Sequence, residues 1–163
     1  MSKQKEVKTN AMRILDKLKI QYDHQSYESD GFIDGLETAD QLDLPHELVY
    51  KTLVAVGKSE EYFVFVIPIA EELDMKKAAR SVDEKSVAMI HVKDLNRITG
   101  YVRGGCTSIG MKKQYKTIIS DTAKILDEIY VSGGRIGSQL KLSPDDLCKA
   151  VNAGYCDIIM NHS

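Results

Sequence analysis

Lys51 is the first residue of this 163-residue chain whose side chain and surroundings suggest chemistry. It stands inside Leu48-Val49-Tyr50-Lys51-Thr52-Leu53-Val54-Ala55-Val56, a run rich in the β-branched and aromatic residues of a strand. Side chains alternate faces along a strand, so Lys51 shares its face with Val49, Leu53 and Ala55, and Tyr50, Thr52, Val54 and Val56 take the other. Two apolar faces describe a strand covered on both sides. An ammonium there must reach a partner, a pocket or the strand end, because burying an unpaired charge is costly. Alternation leaves two readings open: a lysine that snorkels to water, or a cation aimed into a site.

Other segments carry reactive groups. Gly100-Tyr101-Val102-Arg103-Gly104-Gly105-Cys106-Thr107-Ser108-Ile109-Gly110 has the glycine spacing of a phosphate loop at Gly105 and Gly110. Met111 stands where the lysine belongs, and Lys112 is followed by Lys113 rather than serine or threonine, so the match fails at the residues that do the chemistry. What remains is a cradle of backbone amides or a tight surface loop. Within it, Cys106 is a candidate nucleophile if nearby Arg103 lowers its pKa. Ser132-Gly133-Gly134 follows the apolar strand Ile129-Tyr130-Val131; a hydroxyl and two unhindered amides at a strand end can hold a carbonyl or an oxyanion, or simply make a turn. It is not GxSxG, so no nucleophile elbow is supported. His24, His46, His91 and His162 lack ligand spacing, and no metal site is visible. Lys112, Lys113 and Lys116, with Lys76, Lys77 and Arg80, offer charge for a nucleic-acid backbone or for water.

The elements that must hold these groups read as follows. Residues 7–19 form an amphipathic helix with Val7, Ala11, Ile14, Leu15 and Leu18 on one face. A short strand spans 20–27, a turn 28–31, and a second helix starts at the capping box Asp34-Gly35-Leu36-Glu37 and runs to about Leu42. The lysine strand turns at Gly57–Glu61 into an antiparallel neighbour, Tyr62–Ile67. A helix covers 73–80, a short strand 87–90, and a short helix 92–99. Strands at 116–120 and 125–132 flank a helical turn at Asp121; another strand covers 139–142, and Ser143-Pro144-Asp145-Asp146 starts a helix that closes near Gly154. Interleaved helices and short strands give an α+β class with a mixed sheet, and residues 1–163 read as one domain. A chain of 18.2 kDa buries roughly 70% of its unfolded surface.

Hydrophobic content of 43%, charged content of 28% and a net charge of −2 are those of an ordinary globular protein and exclude a globally basic nucleic-acid coat. No apolar run approaches the ~18 residues of a membrane span, and no apolar signal core follows Met1–Glu6. Three cysteines without a CxxC pair point to a reducing cytoplasm.

Five blocks in order resemble the YbaK group of aminoacyl-tRNA deacylases, relatives of the editing domain inserted in bacterial prolyl-tRNA synthetases. They are Val49-Tyr50-Lys51-Thr52-Leu53; Ile67-Pro68 with Glu72-Leu73-Asp74-Met75-Lys76-Lys77; Thr99-Gly100-Tyr101 with Gly104-Gly105; Ile109-Gly110-Met111-Lys112-Lys113; and Ile129-Tyr130-Val131-Ser132-Gly133-Gly134. The resemblance runs from about Thr9 to Asp157. It implies an α+β domain on a mixed, partly barrel-like sheet with flanking helices, and a free-standing proofreading hydrolase that needs no cofactor. The ester it would cleave joins cysteine to the 3′ end of tRNA(Pro), the substrate's own thiol attacking the carbonyl. Mischarged tRNA is then the partner, with prolyl-tRNA synthetase a second one, in the cytoplasm.

Under the resemblance Lys51 matches the family's functional lysine, and Thr52 hydrogen-bonds beside it. Ser132, Gly133 and Gly134 hold the aminoacyl group; Tyr27 stands at the pocket mouth, Phe32 or Ile33 on its wall, and Gly104 and Gly105 let the backbone approach the substrate. Two departures bear on which amino acid is accepted. Cys106-Thr107-Ser108 replaces a Ser-Pro-Leu-like stretch, and Gln139 stands where some cysteine-specific members carry aspartate, so a neutral amide replaces a carboxylate. The alternatives are a deacylase for another small amino acid such as alanine, which would need an activated water, and a binding module for tRNA or a synthetase without catalysis.

Overall fold

The computed structural model describes residues 8–28 and 35–161. Thr9 is extended and its hydroxyl accepts the Met12 N–H at 3.2 Å, which starts helix α1, Asn10–Lys17. Lys19 at φ +60° ends it, so residues 20–22 are spent on the link and strand β1, Asp23–Ser26, is shorter than the alternation suggests. Helix α2, Gly35–Gln41, lies where the capping box puts it; Asp34 itself falls outside the described residues. Strands β2, Tyr50–Gly57, and β3, Tyr62–Pro68, pair antiparallel as expected, with Lys51 opposite Ile67. Asp74 caps helix α3, Met75–Ser81, accepting the Lys76 and Lys77 N–H groups at 3.0 Å each. Strand β4, Val87–Met89, helix α4, Leu95–Thr99, and strand β5, Lys116–Ser120, follow. Strands β6, Ile129–Ser132, and β7, Ser138–Leu142, make a hairpin. Helix α5, Pro144–Val151, opens on Ser143.

Two expectations are corrected. Residues 125–128 are not strand: Ser120 caps a 3-10 helix over Asp121–Ile125, and Ile125 is left exposed. A last strand, β8, Gly154–Cys156, is new; Asn152 at φ +54° ends α5 and turns the chain into it.

The strands form an antiparallel sheet in the order β1-β7-β6 and a mixed one in the order β4-β2-β3-β5-β8, with β5 parallel to both β3 and β8. The two faces of β2 go to different cores, as alternation requires: Tyr50 packs with α1, α5 and the β6–β7 hairpin, while Leu53 and Ala55 pack under α3. Leu15, Leu140, Leu142 and Leu147 are fully buried in the first core, each worth about 2 kcal/mol of transfer free energy.

One edge of β2 is shared. β3 runs along the other edge, whereas this one meets β4 only at residues 55–57 and touches the second sheet through a parallel bridge, Val49 to Tyr130. Ile69 N–H donates to Val49 O, and Gly57 N–H to Glu61 O, which makes the odd-numbered residues those that bond β3. Tyr50, Thr52 and Val54 therefore turn their backbone to the shared edge, where Ile90 N–H reaches Val54 O. Thr52, midway, has no strand neighbour on that side among the described residues.

Candidate active site

A cavity of about 410 Å³ opens at this gap, within the range of small-molecule sites. Val49, Tyr50, Lys51, Thr52 and Leu53 all line it. Val49 and the first four residues of β2 can touch one cavity only if it lies along the strand edge rather than over one face. The rest of the wall comes from far in sequence. In the hairpin Ser132 pairs with Gln139, and β1 pairs Gln25 with Gln139 and Ser26 with Ser138. That register carries the chain to Tyr27, whose N–H donates to Gly137 O at 2.9 Å.

Of the residues singled out from the sequence, Lys51, Thr52, Tyr27, Gly104, Ser132 and Gln139 meet on this wall. Gly105, Gly133 and Gly134 do not line it, and Phe32 and Ile33 lie outside the described residues. The hairpin glycines serve the turn. Gly133 N–H donates to Ser138 O at 2.8 Å, and a Cβ at that position would meet Ser138 Oγ at 2.2 Å. Gly134, at φ +104°, directs its N–H to Ser132 Oγ at 3.3 Å. Thr9 donates its hydroxyl proton to Gly133 O at 2.5 Å, tying the turn to α1. Both amides expected to hold an oxyanion are thus engaged within the turn, and Ser132 is what it offers the cavity.

The described lining residues include two cations, Lys51 and Arg103, and no aspartate, glutamate or histidine. Cys106 is not an activated nucleophile. Burial pushes its thiol up to about 12, against a hydrogen bond from Thr99. Gln139 is nearly fully buried, and its Oε1 has no hydrogen-bond partner among the described residues. A buried acceptor without a partner in a residue that borders a cavity calls for a donor. The structure adds Thr38, Ser138, Leu36 and Ile69 to the wall. Ser138 Oγ lies 2.9 Å from His24 Nε2. No local pattern marks these four, which reach the site only through tertiary packing.

Several of the basic residues have partners within the protein. Lys77 Nζ is bound to Asp157, Ile159 O and Asn161 at 2.9–3.0 Å and pins the C-terminal segment. Lys112 Nζ donates to Arg97 O at 3.2 Å. Lys76 and Arg80 border a separate hollow with Lys85. Among the described residues no group of three or more metal-type ligands converges, and no helix is long and apolar enough to cross a membrane.

Fold and cavity together define an α+β protein with a largely apolar pocket along a strand edge, whose polar groups are an ammonium, a guanidinium, several hydroxyls and a carboxamide. The chain belongs to the aminoacyl-tRNA editing domain family, which it matches over residues 35–150. It is 39% identical, over 97% of its length and 98% of the relative's, to EbsC of Enterococcus faecalis (strain ATCC 700802 / V583), a candidate Cys-tRNA(Pro)/Cys-tRNA(Cys) deacylase. Its fold matches the crystal structure of a hypothetical protein with a TM-score of 0.86 at 18% identity, over 93% of this chain and all of that one. It also matches a candidate trans-editing enzyme for prolyl tRNA synthetase with a TM-score of 0.78 at 18% identity, over 96% of this chain and all of the other.

Proposed function

We propose that this chain is a trans-editing deacylase that cleaves the ester joining cysteine to the 3′ end of tRNA(Pro). The observation that carries the reading is a cavity whose described lining residues include a lysine and several hydroxyls and no aspartate, glutamate or histidine. Such groups can bind and polarise an ester, while the described residues of the wall supply neither a carboxylate or imidazole base nor a thiol of low pKa. The cysteine substrate brings its own nucleophile. Its sulfur attacks the carbonyl carbon, the bond to the ribose oxygen breaks, and the thiol proton ends on that oxygen. Water then opens the thiolactone to free cysteine.

In this reading the Lys51 ammonium and the Thr52 backbone N–H stabilise the charge that develops on the ester oxygens. Ser132 and the unpaired Gln139 oxygen hold the amino-acid end, the latter accepting from the substrate's amine once the side chain turns to it. Tyr27 borders the mouth, and Gly104 lets the loop come close. The partner is the acceptor end of mischarged tRNA, with prolyl-tRNA synthetase supplying selectivity for the tRNA body, and the setting is the cytoplasm. The whole chain acts as one domain.

The test is loss of ester from tRNA(Pro) charged with cysteine, serine, alanine or proline, and from Cys-tRNA(Cys). Cysteine should leave tRNA(Pro) well above the buffer rate, while serine and alanine, which lack the thiol, stay near it. Lys51→Ala should lower kcat by about 10²–10³, the cost of removing one preorganised charge stabiliser. Hydrolysis of the alanine ester as fast as the cysteine ester would remove the thiol step, and full activity in Lys51→Ala would remove the lysine from the chemistry.

A further inference from the structure

The glycine-rich segment that fails as a phosphate loop carries a different device. Gly105 N–H donates to Val102 O at 3.0 Å, and Gly104 lies at φ +86°. That is the pattern of a type II turn with Arg103 at its second position and the required glycine at its third. A second turn of the same pattern starts at Arg135: Ser138 N–H donates to Arg135 O at 3.2 Å, and Gly137 lies at φ +88°. The two turns stand back to back. A Cβ on Gly105 would lie 2.8 Å from Arg135 Cα and 2.9 Å from Ile136 N, so glycine is what lets these backbones touch. Arg103 and Arg135 are both exposed, and Arg103 lines the cavity.

We propose that Arg103 and Arg135 form a basic rim that grips the phosphodiester backbone of a single-stranded 3′ end whose terminal ester enters the cavity. The inference rests on the deacylase reading and extends it to the part of the substrate that is not an ester. In an aminoacylated strand the last phosphodiester lies one ribose away from the ester, so a cation for it belongs at the rim rather than beside Lys51. Guanidinium matches phosphate oxygens two at a time, and a fixed turn reduces the ordering cost of presenting it. A chain of net charge −2 has no general attraction for a polyanion, so a local rim is where such contact would be made. The grip is to backbone and carries no base preference.

The experiment compares Arg103→Gln/Arg135→Gln with the unaltered protein on two substrates: Cys-tRNA(Pro), and 3′-O-cysteinyl-adenosine, which has no phosphate. The double variant should lose at least about tenfold more kcat/KM on the tRNA than on the nucleoside ester, mainly through KM. The slope of log kcat/KM against log salt should become shallower by about 0.7 for each phosphate that is no longer neutralised, and Arg103→Lys/Arg135→Lys should restore most of that slope. Equal losses on both substrates, or an unchanged salt slope, would overturn the rim. If the unaltered protein hydrolyses neither substrate, the deacylase reading fails by itself. The rim is then judged by titration with an uncharged CCA-ended oligonucleotide, whose affinity must drop in the double variant for the proposal to stand.

Discussion

The thiol of Cys106 lines the cavity, yet the burial that puts it there removes it from nucleophilic chemistry. A sulfur that titrates near 12 is almost wholly protonated at neutral pH. The same shift links it to stability. In the unfolded chain the thiol ionises near 9 and in the folded protein near 12, so across that window the unfolded state holds fewer protons and stability falls as pH rises. Chemical denaturation at pH 8 and pH 10 should show this loss, and Cys106→Ala should reduce it. Buried Tyr50 and Tyr101, whose phenols desolvation also pushes up, leave a residual slope. An identical pH dependence in the variant would mean that Cys106 is open to water. Gln139 presents the opposite case, a polar group whose burial leaves an acceptor in need of a donor.

Among the elements, the glycine loop and the β6–β7 hairpin meet backbone to backbone beside the site wall. Gly105→Ala would drive a methyl group into the Arg135–Ile136 backbone, which cannot yield as a side-chain tip would. It should cost about 1–3 kcal/mol in denaturant unfolding, with activity falling further as Arg103 and Gly104 move off the cavity. Stability equal to that of the unaltered protein would mean that the two turns do not touch. Elements with strong local signals were legible in the sequence: the β2–β3 hairpin from its apolar strands around Gly57–Glu61, α3 from Asp74, and α5 from Ser143-Pro144. β8 was not, because three residues of mixed polarity have no period to detect. The glycines announced unusual backbone, but not that Gly105 would be needed by a chain segment 30 residues away.

At the scale of the whole molecule, the site exists because the edge of β2 meets the second sheet only through the Val49–Tyr130 bridge and leaves a gap beside it. Lys51 and Thr52 could be picked out from the strand and the resemblance, and Ser132 from its turn. Thr38 and Ser138 could not, since only the assembly of α2 and of the β1–β7 pair brings them to the same wall. Periodicity reports which face a residue takes, not which stretch of a strand edge will find no neighbour. That unpaired stretch has a signature in time as well as in space. Lys51 and Leu53 direct their amides into the ladder with β3, while the Thr52 amide looks into the gap. In native-state hydrogen–deuterium exchange resolved by residue, Thr52 should therefore trade its proton orders of magnitude faster than the residues on either side. A strand deep in the protein would then contain one amide that keeps the clock of the solvent.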